Sequence, residues 1–267
     1  MPYKKRSNSI LGRISLVGCG TGDVDLLTLK AYRLIKEADV VLTDHLVSQE
    51  IVSLIPQKTM QVFVGKRKGY HSLKQEKINE LLIDYASQGL HVARLKAGDP
   101  YIFGRGAEEA QAMIEAGYDV EVIPGISSAI AGPLSAGIAP TARGYAANMS
   151  IVSAHLSGNS VNLEWVDLLL KKSHTTIVLM GVSRAQEIVQ EARNLGVNED
   201  CKVAIISNAS RTNQSEIITT LSGLQAAAIE APRPAILVFG EVVALHKVLP
   251  KYQYFQENSD ERTAASI

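Results

Sequence analysis

The sequence predicts an α/β fold, and three observations carry the prediction. Short apolar runs of strand length alternate with amphipathic stretches of helical spacing through the first half of the chain. Two glycine-bearing loops, Val17-Gly18-Cys19-Gly20-Thr21-Gly22-Asp23 and Ala97-Gly98-Asp99-Pro100, each follow directly on such an apolar run. A second alternating set begins after Pro124-Gly125. Alternation of this kind calls for crossover units and a largely parallel sheet. The change of pattern near Pro124 divides the chain into two α/β domains, residues 10–124 and 125–250.

The elements follow in order. Residues 14–17 read as a strand, and Leu27, Ala31, Leu34, Ile35 and Ala38 keep one helical face behind the first glycine loop. Strands are expected at 39–43 and 61–64. Ile78, Leu81, Leu82 and Tyr85 follow the i, i+3, i+4, i+7 rule of an amphipathic helix. Ser72 with Gln75 three residues on would form a capping box at its start, and Gly89 would close it. Strands follow at 91–95 and 119–123. Residues 126–137 are small and apolar, which suits a tightly packed helix near a ligand. The second set of strands is expected at 149–153, 175–180, 202–206, 216–220 and 235–239.

Bulk properties narrow the function. A chain of 267 residues buries enough surface to need no staple. With 27 basic and 27 acidic residues the net charge is zero, which argues against a general nucleic-acid binder. No apolar run is long enough to span a bilayer, so no membrane partner is expected. The six histidines show no HxxxH or HxxE spacing, so no metal site is expected. Cys19 and Cys201 lie outside any CxxC and read as free thiols in a reducing compartment. The basic start has no apolar core behind it, so it is not a secretory signal, and a cytoplasmic protein is expected. Residues 1–9 and 251–267 read as disordered tails.

Chemistry is expected in the two loops. Strand, GxGxG and helix is the order of many nucleotide sites, because glycine lets the backbone turn sharply and a ligand approach closely. Asp44 follows the second strand, where an acidic residue holds a ribose in such sites. Asp23 and Asp25 would repel a phosphate at that helix start, although both suit plain helix caps. The loop therefore fits the methyl donor S-adenosylmethionine (SAM) better than a pyrophosphate. An NAD(P)-linked dehydrogenase would leave Gly98-Asp99-Pro100 without a task.

Several further stretches stand in a fixed order: Thr43-Asp44-His45-Leu46-Val47-Ser48, Val64-Gly65-Lys66-Arg67, Gly104-Arg105-Gly106-Ala107-Glu108-Glu109, Ile123-Pro124-Gly125-Ile126-Ser127-Ser128-Ala129, Val178-Leu179-Met180-Gly181 and Phe239-Gly240-Glu241-Val242-Val243. With the two glycine loops they resemble the tetrapyrrole methylases, from about Ile14 to Leu249. The resemblance implies two α/β domains with the cofactor in the cleft between them, and a homodimer. The wording is nearest to the members that take uroporphyrinogen III to precorrin-2 by two successive methylations from SAM. Methylation of a later corrin precursor or of another acceptor in the family is the alternative, and a non-catalytic binder of SAM or tetrapyrrole is a further one.

The resemblance also implies roles. Gly20, Thr21, Ala97, Gly98, Asp99, Ile102, Ser127, Ser128, Met180 and Ala209 would bind the cofactor. Asp44 is the candidate proton acceptor and Lys66 the candidate donor, and a lysine would be a poor base unless desolvated. A uroporphyrinogen bears eight carboxylates, and Arg105 and Arg143 can each present a guanidinium fork to one of them. Lys66, Arg67 and Lys68 could add a basic rim. Glu108 would orient Arg105 or contact pyrrole NH groups. The chain departs from the family's wording at Thr21 (proline there), Ala97, Ala107 and Ala209 (glycine), Ala142 (histidine), Gly144 (aspartate) and Leu179 (tyrosine).

Overall fold

The computed structural model describes residues 12–65, 73–156 and 160–252. The chain forms two compact units, Met1–Ala131 and Gly132–Ile267. Most of both expected tails, and Ser72 of the expected capping box, lie outside the described residues.

Unit 1 carries strands β1 (Ile14–Gly18), β2 (Val40–Thr43), β3 (Met60–Phe63), β4 (Val92–Lys96) and β5 (Val120–Ile123), with helices α1 (Leu29–Glu37), α2 (Gln49–Val52), α3 (Gln75–Ser87) and α4 (Gly106–Glu115) between them. The sheet order is β3-β2-β4-β1-β5, and every pairing is parallel. Both faces are covered, so the central strands bury every residue. Val17, Val41, Ala93 and Leu95 pack with Ala31, Leu34 and Ile35 of α1 and Ile51 of α2. Ile14, Val40, Leu42 and Val92 pack with Ile78, Leu82 and Ala86 of α3 and Met113 of α4. Leu82 is fully buried, so truncating it to alanine would cost about 2–5 kcal/mol.

Helix ends show where local chemistry was read well and where it was not. Thr28 caps α1 by accepting from the Ala31 N–H at 3.1 Å. Helix α3 is capped by Lys74 with no side-chain bond, so the expected capping box does not set its start. The Gln75 side chain instead donates to Asn79 and to Glu109. At the other end Gly89 sits at φ +81 and returns its N–H to Ala86 O, which closes α3 as expected.

The small apolar stretch forms α5 (Ser128–Ser135), and the division between the units falls inside it. Unit 2 continues with β6 (Asn148–Ser153), β7 (His174–Leu179), α6 (Ala185–Asn194), β8 (Lys202–Ser207), β9 (Ser215–Thr220), α7 (Leu224–Glu230) and β10 (Ala235–Phe239). Its sheet order is β6-β7-β10-β8-β9. Only β6 and β7 pair in parallel; β10 runs antiparallel to both β7 and β8, and β8 to β9. A largely parallel sheet therefore holds for unit 1 alone. The turn from β8 to β9 is too short for a crossover and forces a hairpin. A core in unit 2 joins Ile188 and Val189 of α6, Leu224 and Ala228 of α7, and Trp165 against Phe239 at a ring separation of 6.1 Å.

Candidate active site

Parallel pairing puts the C-terminal ends of β1, β2, β4 and β5 on one edge of the first sheet. Gly18 stands beside Lys96, Val17 beside Ile123 and Leu42 beside Arg94. In open α/β sheets, ligands bind outside such an edge. The loops after β1, β4 and β5 hold most of the expected cofactor residues.

These loops are joined backbone to backbone. Gly20 and Gly98 exchange two hydrogen bonds, 3.2 Å from Gly20 N–H to Gly98 O and 2.7 Å in return. Both occupy left-handed backbone, φ +65 and +69, where glycine is unstrained. A Cβ on Gly18 would clash with the Gly125 backbone and stand 2.9 Å from Pro100 Cδ. The Asp99 carboxylate accepts from Tyr101 N–H at 2.8 Å and from Gly125 N–H at 3.1 Å. Asp99 thus fastens its own loop to the one after β5. Thr21 and Ser127 are buried, and Ala97, Gly98, Asp99 and Ser128 are half-buried. Ser127 Oγ accepts from Ala129 N–H at the start of α5. Tyr101, Ile102 and Phe103 are exposed, an apolar surface of the kind that meets a ligand.

Asp44 follows β2 on the same edge. Its Oδ1 accepts from Leu46 N–H at 3.0 Å and its Oδ2 from Arg94 Nη2 at 2.9 Å. Behind it lies a cluster that the sequence reading missed: Arg94 and Lys96 of β4 and Glu109 of α4, at 4%, 6% and 0% exposure. Two cations inside a strand buried on both faces were the available signal, because buried charge must find partners. Desolvation lowers the Lys96 pKa, and Glu109 works against that shift. Cys19 lies in the same region, where burial pushes its thiol up to about 12, so it is protonated and inert. Lys66, with Arg67 and Lys68, lies outside the described residues.

Arg105 caps α4 in left-handed backbone at φ +59, and its fork is already engaged. Nε donates to Glu108 Oε1 at 3.0 Å and Nη2 to Oε2 at 2.6 Å. The pair raises the Arg105 pKa and lowers that of Glu108, each chiefly through this hydrogen bond. Such an exposed pair is worth about 0–1 kcal/mol, so a ligand carboxylate can replace Glu108. Arg143 is exposed at the tip of a turn closed by Ala142 and Ala146, with Gly144 at φ +86. Among the described residues its side chain has no ion-pair or hydrogen-bond partner.

Met180 and Ala209 belong to unit 2. Met180 follows β7 at φ +57 and is exposed; Ala209 follows β8 and is buried. They flank β10, since Leu179 pairs with Ile236 and Ser207 with Ala235. Asn208 and Ser210 around Ala209 also adopt positive φ, 51 and 56. Non-glycine residues held in this region concentrate at functional sites.

Comparison with known proteins agrees with this architecture. Siroheme synthase 1 of Klebsiella pneumoniae is 44% identical over 243 residues, 91% of this chain and 51% of that protein. Siroheme synthase of Actinobacillus pleuropneumoniae is 43% identical over 245 residues, 92% of this chain and 50% of that protein. The chain thus spans about half the length of the curated relatives it matches. Among solved structures, the uroporphyrin-III C-methyl transferase of Thermus thermophilus complexed with S-adenyl homocysteine is 38% identical. It superposes with a TM-score of 0.77 over 88% of this chain and 100% of that one. The family model of the tetrapyrrole (corrin/porphyrin) methylases matches residues 13–225. This two-unit α/β chain belongs to the tetrapyrrole methylases.

Proposed function

We propose that the chain is a SAM-dependent C-methyltransferase that converts uroporphyrinogen III to precorrin-2 by two successive methylations. The observation that carries the proposal is the match to the whole Thermus thermophilus transferase, a structure holding S-adenyl homocysteine. The loop edge of unit 1 fits such a ligand. A Cβ on Gly98 would meet only Ser127 Cα, at 3.8 Å, so the backbone there lies open to close approach. Bound SAM supplies an electrophilic methyl group to a carbon nucleophile.

The residues then divide the work. A porphyrinogen pyrrole is electron-rich, so its ring carbon attacks without a strong base, and much of catalysis is holding the reactants at near-attack distance. Gly20, Ala97, Gly98 and Ile102 border the SAM position in this reading. Asp44, whose two oxygens each accept one hydrogen bond, from Leu46 N–H and Arg94 Nη2, accepts the proton that leaves the methylated carbon. Lys66 is the proposed donor. Arg143 and Arg105 take substrate carboxylates, Arg105 by exchanging Glu108 for one of them. A homodimer belongs to the same reading and rests on the family resemblance.

Anaerobic incubation with SAM and uroporphyrinogen III, followed by mass measurement of the tetrapyrrole, tests the proposal. A gain of two methyl groups that requires SAM is expected. No gain, with SAM still bound by calorimetry, would turn attention to another acceptor and to the departures at Ala142 and Gly144.

A further inference from the structure

Glu109 is the most deeply buried member of the charge cluster and touches no expected ligand. Its Oε1 accepts from Gln75 Nε2 at 3.1 Å and from Arg94 Nε at 3.4 Å. Lys96 Nζ stands 2.7 Å from Oε2 and forms an ion pair with it. Arg94 gives Nη1 to Leu95 O at 2.9 Å and Nη2 to Asp44 Oδ2 at 2.9 Å. The guanidinium is thereby held on its inner side and aimed at Asp44. Only the Asp44 end opens to solvent, with 21% of its side chain exposed against 5% for Arg94, 7% for Lys96 and 0% for Glu109.

Stability alone does not account for this arrangement. Removing charges from water is expensive, and a buried ion pair is on average no better for stability than well-packed apolar side chains. Apolar packing is at hand, since Met113 one turn along α4 joins Ile78, Leu82 and Val92 in the core. What the cluster supplies is direction, because a planar guanidinium fixed at two nitrogens presents the third at a set angle.

We propose that Glu109 is a positioning residue for methyl transfer: by anchoring Arg94 between β4 and α4 it sets the orientation of the Asp44 carboxylate. The proposal rests on the reading of Asp44 as proton acceptor. Lys96 is the counter-cation of the same carboxylate. Glu109→Gln would remove the negative charge that Arg94 and Lys96 share and weaken the hold on the fork that faces Asp44.

A double-mutant cycle tests this. Single-turnover methyl transfer from SAM to uroporphyrinogen III is measured for the wild type, Asp44→Asn, Glu109→Gln and the double variant. Calorimetry with S-adenosylhomocysteine serves as the check that the cofactor loops stand. Glu109→Gln is expected to slow transfer about 10- to 100-fold, with S-adenosylhomocysteine affinity within about threefold, as coupling through Asp44 requires. The double variant is expected to be no slower than Asp44→Asn alone, because residues that act as one unit are not additive. Losses that multiply in the double variant, or a Glu109→Gln rate within about twofold of wild type, would overturn the proposal. If Glu109→Gln does not fold, Glu109→Asp, which keeps the charge and draws the carboxylate back by one methylene, enters the same cycle. Wild-type rates in Asp44→Asn would instead remove the reading of Asp44, and the proposal with it, on a different variant.

Discussion

The two edges of the first sheet are built on the same strands but by different means. At the C-terminal edge, loops approach one another so closely that Gly18, Gly98 and Gly125 meet backbone to backbone, and the Asp99 carboxylate fastens two of them. At the N-terminal edge, Gly12 packs against the end of α3, where a Cβ would stand 2.6 Å from Ala86 O, and side chains complete the joint. His91 accepts or donates at Ser15 Oγ, 3.1 Å away, and the His91 N–H donates to Asp39 at 2.9 Å. Both edges are tight. The expected cofactor residues stand at the first edge, so in the proposed reading tightness there serves a ligand as well as the fold.

The largest expected effect separates the two edges. Gly125→Ala puts a methyl group against Gly98 O and 2.6 Å from Gly18 C. Overpacking of this kind costs about 1–3 kcal/mol or more, and S-adenosylhomocysteine binding should fall with it. Gly12→Ala should cost a similar amount in denaturant unfolding, yet leave methyl transfer per folded molecule unchanged. Equal losses of activity per folded molecule in the two variants would erase the distinction between the edges.

Asp99→Ala comes next. It removes the acceptor of the half-buried Gly125 N–H and of the Tyr101 N–H, which water can reach, at a cost of about 1 kcal/mol. Asp99→Asn keeps one acceptor and should fall between. If Asp99→Ala binds S-adenosylhomocysteine as tightly as the wild type, the carboxylate does not shape the cofactor loop.

The smallest effect belongs to the N-terminal edge and to pH. Burial, with Arg13 nearby, lowers the His91 pKa below its ordinary value of 6.5. The folded protein therefore holds His91 neutral while the unfolded chain takes up a proton, so the unfolded state binds more protons and stability is lost as pH falls through 6.5. Above that value its contribution is fully present. The melting temperature should drop between pH of about 7.5 and 5.5, and His91→Gln should flatten the drop without changing activity at the higher pH. A residual slope is expected from His174, whose pKa burial also lowers. An unaltered slope in His91→Gln would show that this joint is indifferent to the proton.

The fold was readable where the pattern is local. The run at 91–95 marks β4 within one residue, and the shift has a cause: His91 gives its N–H to the Asp39 side chain, while Lys96 continues beside Gly18. The glycine loops were readable because few other residues allow φ near +65 at Gly20 and Gly98. Strand direction in unit 2 was not readable, since periodicity says nothing about which neighbour β10 inserts between. The pairing of Arg105 with Glu108 was legible, because three residues on a helix bring the two side chains together and Glu108 was expected to orient the fork. The fate of the other charged side chains was not carried by the sequence. It marks Glu109 as one acid among several on a helix, whereas contacts 13 to 15 residues away in β4 and 34 away in α3 bury it.

The buried cluster also bears on how a polyanionic substrate would arrive. Arg94 and Lys96 are matched by Asp44 and Glu109, so the interior of this edge projects little net field. Arg105 is paired one-to-one with Glu108, and Arg143 is an exposed cation with no side-chain partner among the described residues. Long-range attraction of a polyanion would then fall to exposed cations such as Arg143, whose field salt screens. If the proposed function holds, capture of the substrate should slow as ionic strength rises, while the geometry at Asp44, held by Arg94, stays the same.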